Sequence, residues 1–323
     1  MAAPNRNVLL TSGPAMNMTP FRNYVSLAGF GRYSLRSIIA GFILIMLLWL
    51  AGSGAVLFAL IQYDFWTTGD PAWTTETILS GYAGLTARLA SVAILWPGVF
   101  IVLRLVHGRH IVTALGVELR IDKSDFWRAT AAVLVAETVI TIIWLAIGED
   151  FVRTDASLRD WLIALAPLAL LIFLQSSGEE LFFRGYLMQL LARRFGSPWI
   201  WAGVPSLIFT VLHWDSDLTL TVNIWALVAV GAFTASAAFL VVYTGNLGAA
   251  FGIHWGNNLL AMLVYSGDRD TDTLALIAFE DVSGADWTFS ELFNAIGNEL
   301  LFTMLTIWLL VHPRSPLRLV VRS

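Results

Sequence analysis

The chain is built around long apolar stretches. Eight of them, near Ile38–Ile61, Leu85–Val106, Trp127–Ile147, Leu158–Gln175, Pro198–Trp214, Leu220–Tyr243, Leu247–Tyr265 and Leu292–Val311, approach or exceed the roughly 20 apolar residues that a helix needs to cross a bilayer core of about 30 Å. Only 13% of the 323 residues are charged and 57% are hydrophobic. Soluble domains carry roughly a quarter charged residues, so this chain cannot cover a water-facing globule. The reading is an all-α, polytopic membrane helix bundle with about eight transmembrane helices, embedded in membrane lipid. A nucleic-acid partner, a disordered chain and a secreted disulfide scaffold are excluded. With no cysteine, thiolate catalysis and cysteine-ligated zinc are excluded too.

Loop charges support the count. The N-terminal tail has Arg6, Arg22, Arg32 and Arg36 and no acid. The first loop has Asp64, Asp70 and Glu76; the second has Arg104, Arg109, Arg120, Lys123 and Arg128. The third is net acidic, with Glu149, Asp150, Asp155 and Asp160, and Arg193 and Arg194 mark the fourth. The fifth carries Asp215 and Asp217, and the sixth, Thr244–Asn246, is uncharged. Asp268, Asp270, Asp272, Glu280, Asp281 and Asp286 make the seventh acidic, before a tail with Arg314, Arg318 and Arg322. The sign alternates as eight spans require, and the positive-inside rule puts both termini in the cytoplasm. The first apolar run begins too deep and runs too long for a signal peptide. The chain divides into a tail (1–37), N-terminal spans (38–157), a central helical core (158–265), and a last part (266–323) with the acidic 266–291 loop, a solvated external loop, and the final span.

Ionisable groups at bilayer depth are costly and mark function. They are Arg88, Glu137, Glu179, Glu180, Arg184, His213 and His254. Arg88 lies near a span end and snorkels; Glu137 pairs with it or faces a cavity. The other five fall into three clusters. In Gly178-Glu179-Glu180-Leu181-Phe182-Phe183-Arg184, Glu180 and Arg184 share a helix face in the favourable order. Glu179 points about 100° away, free for chemistry. The Ser176-Ser177-Gly178 step before it, of a kind that commonly marks kinks, joins two runs into one long or kinked helix. In Phe209-Thr210-Val211-Leu212-His213 the phenyl ring stacks over the histidine's face. Equal helical rise on both arms of the hairpin around Gly196–Pro198 places Glu179 and His213 at one depth, as an acid–base pair requires. In His254-Trp255-Gly256-Asn257-Asn258, His254 and Asn258 share a face, which suits an oxyanion hole. The plain alternatives are a structural ion pair, a core histidine and interhelical hydrogen bonding. His107 and His110, in His-Gly-Arg-His, look like a metal pair but are read as a membrane-surface contact in a basic loop.

In this order the clusters resemble the CPBP family of intramembrane glutamic endopeptidases, which includes type II CAAX prenyl endopeptidases and bacteriocin-processing and bacteriocin-immunity proteins of bacteria. The family pattern Glu-Glu-x-x-x-Arg, Phe-x-x-x-His, His-x-x-x-Asn is matched by Glu179-Glu180-x-x-x-Arg184, Phe209-x-x-x-His213 and His254-x-x-x-Asn258. Gly185 and the Thr244-Gly245-Asn246-Leu247 turn are also similar. The resemblance spans about residues 160–265. It implies a bacterial plasma-membrane protease without cofactor or metal, acting on membrane-associated or lipidated peptide substrates. Glu179 is then general base on a water, helped by His213. His254 and Asn258 stabilise the oxyanion, and Glu180 and Arg184 brace the helix. Three rival readings are a zinc metallopeptidase using Glu179, His213 and His254 as a His2Glu set, a non-proteolytic scaffold, chaperone or immunity protein, and a transporter. A transporter calls for polar residues in both halves of the chain, and here they concentrate in one half.

Overall fold

The structure, a computed structural model, describes residues 17–69, 81–147, 152–154, 156–266, 275–278 and 285–321. Arg6, Asp70, Glu76, Glu149, Asp150, Asp155, Asp268, Asp270, Asp272, Glu280, Asp281 and Arg322 of the charge pattern lie outside the described residues.

The described chain is almost wholly helical. A short α1 (Thr19–Ser26) leads to α2 (Leu35–Thr68), α3 (Gly81–Ala93) and α4 (Leu95–Leu105), which continues the line of α3. After α5 (Lys123–Ile147) comes α6 (Leu158–Glu180), which runs without a break through a π-helical stretch, Leu181–Met188, into α7 (Gln189–Arg194). A second π-helical turn, Trp199–Gly203, opens α8 (Val204–Val211), followed by α9 (Leu220–Thr244), α10 (Gly248–Leu263) and α11 (Phe289–Val311). Three two-residue strands, β1 (Val152–Arg153), β2 (Tyr265–Ser266) and β3 (Ile277–Ala278), form a ribbon in the order β1-β3-β2. Several spans open on a hydroxyl cap, at Ser34, Ser157, Thr219 and Thr288, whose oxygens satisfy first-turn amides that lipid would leave bare.

Among the described residues, six helices are long and apolar enough to cross a membrane, rather than the eight expected: Leu35–Thr67, Gly81–Leu105, Lys123–Ala146, Leu158–Arg194, Leu220–Thr244 and Phe289–Val311. The other two expected spans are shorter helices. Trp199–Val211 ends before His213, and α10 has 16 residues. The protein is an integral membrane helix bundle. Leu158–Arg194 has 37 residues, about 55 Å of helix, which exceeds a bilayer core of about 30 Å. Of the two readings of the Ser176–Gly178 step, a long or a kinked helix, the structure has the long one: both serines bond back to the Phe173 carbonyl and the α-helix continues to Glu180. The irregularity comes one residue later, in the π-helical stretch that contains Arg184.

Two helix contacts position the site. Gly248, Gly252 and Gly256 recur every four residues along α10 and face α5. A Cβ at Gly252 would lie 2.2 Å from the Phe126 carbonyl oxygen. Small residues let membrane helices approach this closely and gain packing contacts. The Thr130 hydroxyl caps the contact by donating to the Gly252 carbonyl. Before α10, Gly245 takes a left-handed φ of 68° and closes α9. Asn246 then accepts from the Asp122 and Gly248 amides and donates to the Arg120 carbonyl. This ties the start of α10 to the segment before α5.

The segment expected as a tail is partly folded: α1 packs into the core with Tyr24 fully buried. His107 and Arg109, expected at the membrane surface, are also core residues, 1% and 3% exposed. His107 bonds the Arg32 carbonyl through Nδ1 and the Tyr186 hydroxyl through Nε2. Arg109 donates to Gln189, whose amide donates to the Tyr24 and Thr113 carbonyls. His110 is exposed, so the two histidines do not form a pair. Burial holds the His107 pKa below its ordinary value, and pushes the Arg109 guanidinium down to about 10. Glu299 of α11, within an apolar span, belongs with the ionisable groups at bilayer depth; it lies close enough to Glu137 for the two charges to interact.

Candidate active site

Every residue from Gln175 to Leu190 is buried except Glu179. The run includes the end of α6 and the whole π-helical stretch, the most enclosed part of the protein. An acid here would normally be paired on all sides. Glu180 is paired through one oxygen: its Oε1 accepts from Arg184 Nη1 at 2.8 Å and faces His254 Nδ1 at 2.8 Å, while Oε2 is buried without a hydrogen-bond partner among the described residues. Arg184 spends its other terminal nitrogen on the Thr234 carbonyl and hydroxyl of α9. Its guanidinium also lies 5.1 Å from the Phe209 ring centre, within cation–π range. The expected i,i+4 pair therefore exists, and it ties α6 to α9 and α10 at once.

The Glu179 carboxylate is 16% exposed and opens to the other side. Its Oε2 lies 3.4 Å from His254 Nε2. Gln175 stands one turn back on the same helix face, close enough for its amide to interact with the carboxylate. His254 thus stands between the two acids, Nδ1 to Glu180 and Nε2 toward Glu179. The sequence placed it on the oxyanion side alone and did not foresee this bridge.

His213 falls in the turn after α8 and is exposed. It lies near enough to Glu179 for the two groups to interact. Nδ1 bonds the Phe209 carbonyl at 2.8 Å. A carbonyl only accepts, so Nδ1 carries the proton and Nε2 presents a lone pair. Phe209 is the wedge of the site. It stacks on His213 at 4.7 Å and meets the rings of Phe183 and His254 edge-on. The turn itself is held by buried Asn223 of α9, which accepts from the Asp215 amide and donates to the Asp215, Leu218 and Thr219 carbonyls. Asn258, half-buried on α10, donates to Gln175 Oε1 at 2.9 Å.

All six residues expected at the site thus gather around the Glu179–Glu180 step. Gln175, Asn223 and Thr234 join them. Gln175 was legible in principle: an amide one turn before an acid in an apolar span is as anomalous as a charge. Asn223 and Thr234 carry no such signal. Among the described residues, no three His, Asp or Glu side chains converge as a bound metal ion would need.

A membrane-embedded helical site with one accessible acid, a buried acid–arginine pair and two histidines defines the class. Comparison with known proteins then shows what the chain is similar to. Residues 161–260 match the family model described as type II CAAX prenyl endopeptidase Rce1-like, which bears out the resemblance read from the three motifs. That family is one of CAAX endopeptidases, hydrolases acting on peptide bonds. The chain is also similar to the uncharacterized protein YyaK of Bacillus subtilis (strain 168). The two are 25% identical over 293 residues, covering 85% of this chain and 91% of the relative.

Proposed function

We propose that the protein is a metal-independent glutamic endopeptidase of the bacterial plasma membrane, cutting membrane-associated or lipidated peptides, with both termini in the cytoplasm. The observation that carries this reading is the single opening in the buried run: Glu179 alone reaches out of it, toward two histidines. In the proposed reaction Glu179 takes a proton from a water while the water oxygen adds to the scissile carbonyl carbon. His213 Nε2, free to accept, orients that water. Negative charge moves onto the carbonyl oxygen, where His254 Nε2–H and an Asn258 amide N–H donate to it. The proton held by Glu179 then passes to the amide nitrogen as the C–N bond breaks, leaving an acid and an amine with no acyl-enzyme. Glu180 and Arg184 hold the helix and the His254 ring in place.

The test is cleavage of a library of membrane-associated peptides by detergent-purified protein, comparing wild type, Glu179→Ala and His213→Ala, with and without a chelator. Activity that survives the chelator and vanishes in Glu179→Ala supports the proposal. Loss of activity on chelation favours the His2Glu zinc enzyme. A Glu179→Ala variant that keeps the biological effect favours a scaffold or immunity protein.

A further inference from the structure

Gln175 is a buried amide in an apolar helix, 7% exposed, one turn before Glu179 on the same face. Its Oε1 accepts from Asn258 Nδ2 at 2.9 Å. That contact settles which way the amide points, because Nδ2 is a donor and needs an acceptor opposite it. The Nε2 end is left for Glu179, whose carboxylate, when ionised, can only accept. The neighbouring serines take no part: Ser177 faces the Trp96 indole, which donates to its hydroxyl at 3.0 Å, and both serines bond back to Phe173. A single side chain therefore joins the third motif to the first on the side away from Glu180.

We infer that Gln175 is a positioning residue for the proteolytic reaction: it aims the Glu179 carboxylate and fixes the plane of the Asn258 amide. The inference rests on the proposed function. Glu179 lies between His254 Nε2, 3.4 Å from its Oε2, and the Gln175 amide one turn back, and these two neighbours favour one orientation of its carboxylate in the resting site. Asn258 gives one N–H to Gln175, and its second N–H is held in one direction for the oxyanion. Asn257 extends the chain of amides, with its Nδ2 3.5 Å from Asn258 Oδ1. An apolar side chain of the same length at position 175 would leave both groups free to rotate. Misplacement of reacting groups on the ångström scale costs about 100-fold in rate.

The experiment is steady-state cleavage of a membrane peptide by detergent-purified wild type, Glu179→Gln, Gln175→Leu, Gln175→Glu, Gln175→Asn, Asn258→Leu and the Gln175→Leu/Asn258→Leu double variant. Thermal midpoints are recorded for each. Gln175→Leu is expected to lower kcat by about 30–100-fold with KM within about threefold of wild type. Gln175→Glu, which keeps the acceptor for Asn258 but loses the donor to Glu179, stays as slow as Gln175→Leu. Gln175→Asn, which keeps both groups one bond shorter, recovers about tenfold. The double variant is no more than about twofold slower than the worse single one, because residues in one hydrogen-bond chain are non-additive. Gln175→Leu or Gln175→Glu at wild-type kcat, a loss confined to KM, or fully additive losses would overturn the inference. If Gln175→Leu does not fold, the near-isosteric Gln175→Glu carries the test. A Glu179→Gln variant as active as wild type sinks the proposed function itself; an inactive Glu179→Gln beside a fast Gln175→Leu sinks only this inference.

Discussion

Glu179 and Glu180 are adjacent, carry the same group and sit on the same helix, yet the fold gives them opposite surroundings. Glu180 is fully buried and takes Arg184 and His254 on one oxygen. Glu179 is the only residue between Gln175 and Leu190 that is not buried, and it faces His254, His213 and Gln175. One step of about 100° around the helix separates them. The lesson is that a buried charge pair and a reactive acid can share a helix turn, the first holding the frame in which the second is exposed.

The sharpest way to break this comparison is to exchange the two roles. Glu179→Gln is expected to lower peptide cleavage by about 10²–10⁴-fold, the usual weight of a general base, while the thermal midpoint moves little. Glu180→Ala is expected to do the reverse first: it strands a buried Arg184, at a cost of about 3–5 kcal/mol, read as loss of folded, monodisperse protein in detergent. If Glu180→Ala folds normally and Glu179→Gln does not, the assignment of frame and reactive group is inverted.

The frame reaches further, to the α5–α10 contact. Gly252→Val puts side-chain carbon against the Phe126 carbonyl, where even a Cβ lies 2.2 Å away. Overpacking of this kind costs about 1–3 kcal/mol. Its expected signature is a lowered thermal midpoint together with lost activity, because His254 rides on α10. Unchanged activity would show that α10 can shift without disturbing the bridge between the two acids.

A smaller effect lies outside the spans. Burial lowers the His107 pKa from its ordinary 6.5, so the folded protein resists a proton that the unfolded chain accepts. Stability from this group is fully present above about pH 6.5, falls as the pH drops through and below that value, and levels off under the folded pKa. Thermal midpoints from pH 8 to pH 5 should show the fall, and His107→Gln should flatten it. An equal fall in the variant would remove His107 as its source.

Much of the site was legible because it is local. The Glu180–Arg184 pair, Phe209 over His213, and His254 with Asn258 all lie four residues apart, and helix geometry alone puts such residues on one face. The hairpin argument placed His213 near Glu179 by counting rise from the turn. Depth and contact across helices were not local, and there the reading missed. Two apolar runs that counted as spans became shorter helices, one ending before His213. His107 looked like a loop residue at the surface, and only the packing of α2 and the π-helical stretch encloses it. Gly41 of α2 allows this, since a Cβ there would meet the Tyr186 hydroxyl.

The sequence by itself determined that this chain lives in a bilayer, that most of the ionisable groups in its apolar runs fall into three motifs, and which residues share a helix face. Composition and the 3.6-residue period are sufficient for those. Only the tertiary structure decided that His254 bridges both acids, that Glu179 is the one opening in a buried run, and that Gln175 links Asn258 to it. Those facts depend on how close α6, α9 and α10 approach and at what height they cross. Glycine contacts and the Asn246 turn set that approach, and no single helix encodes it.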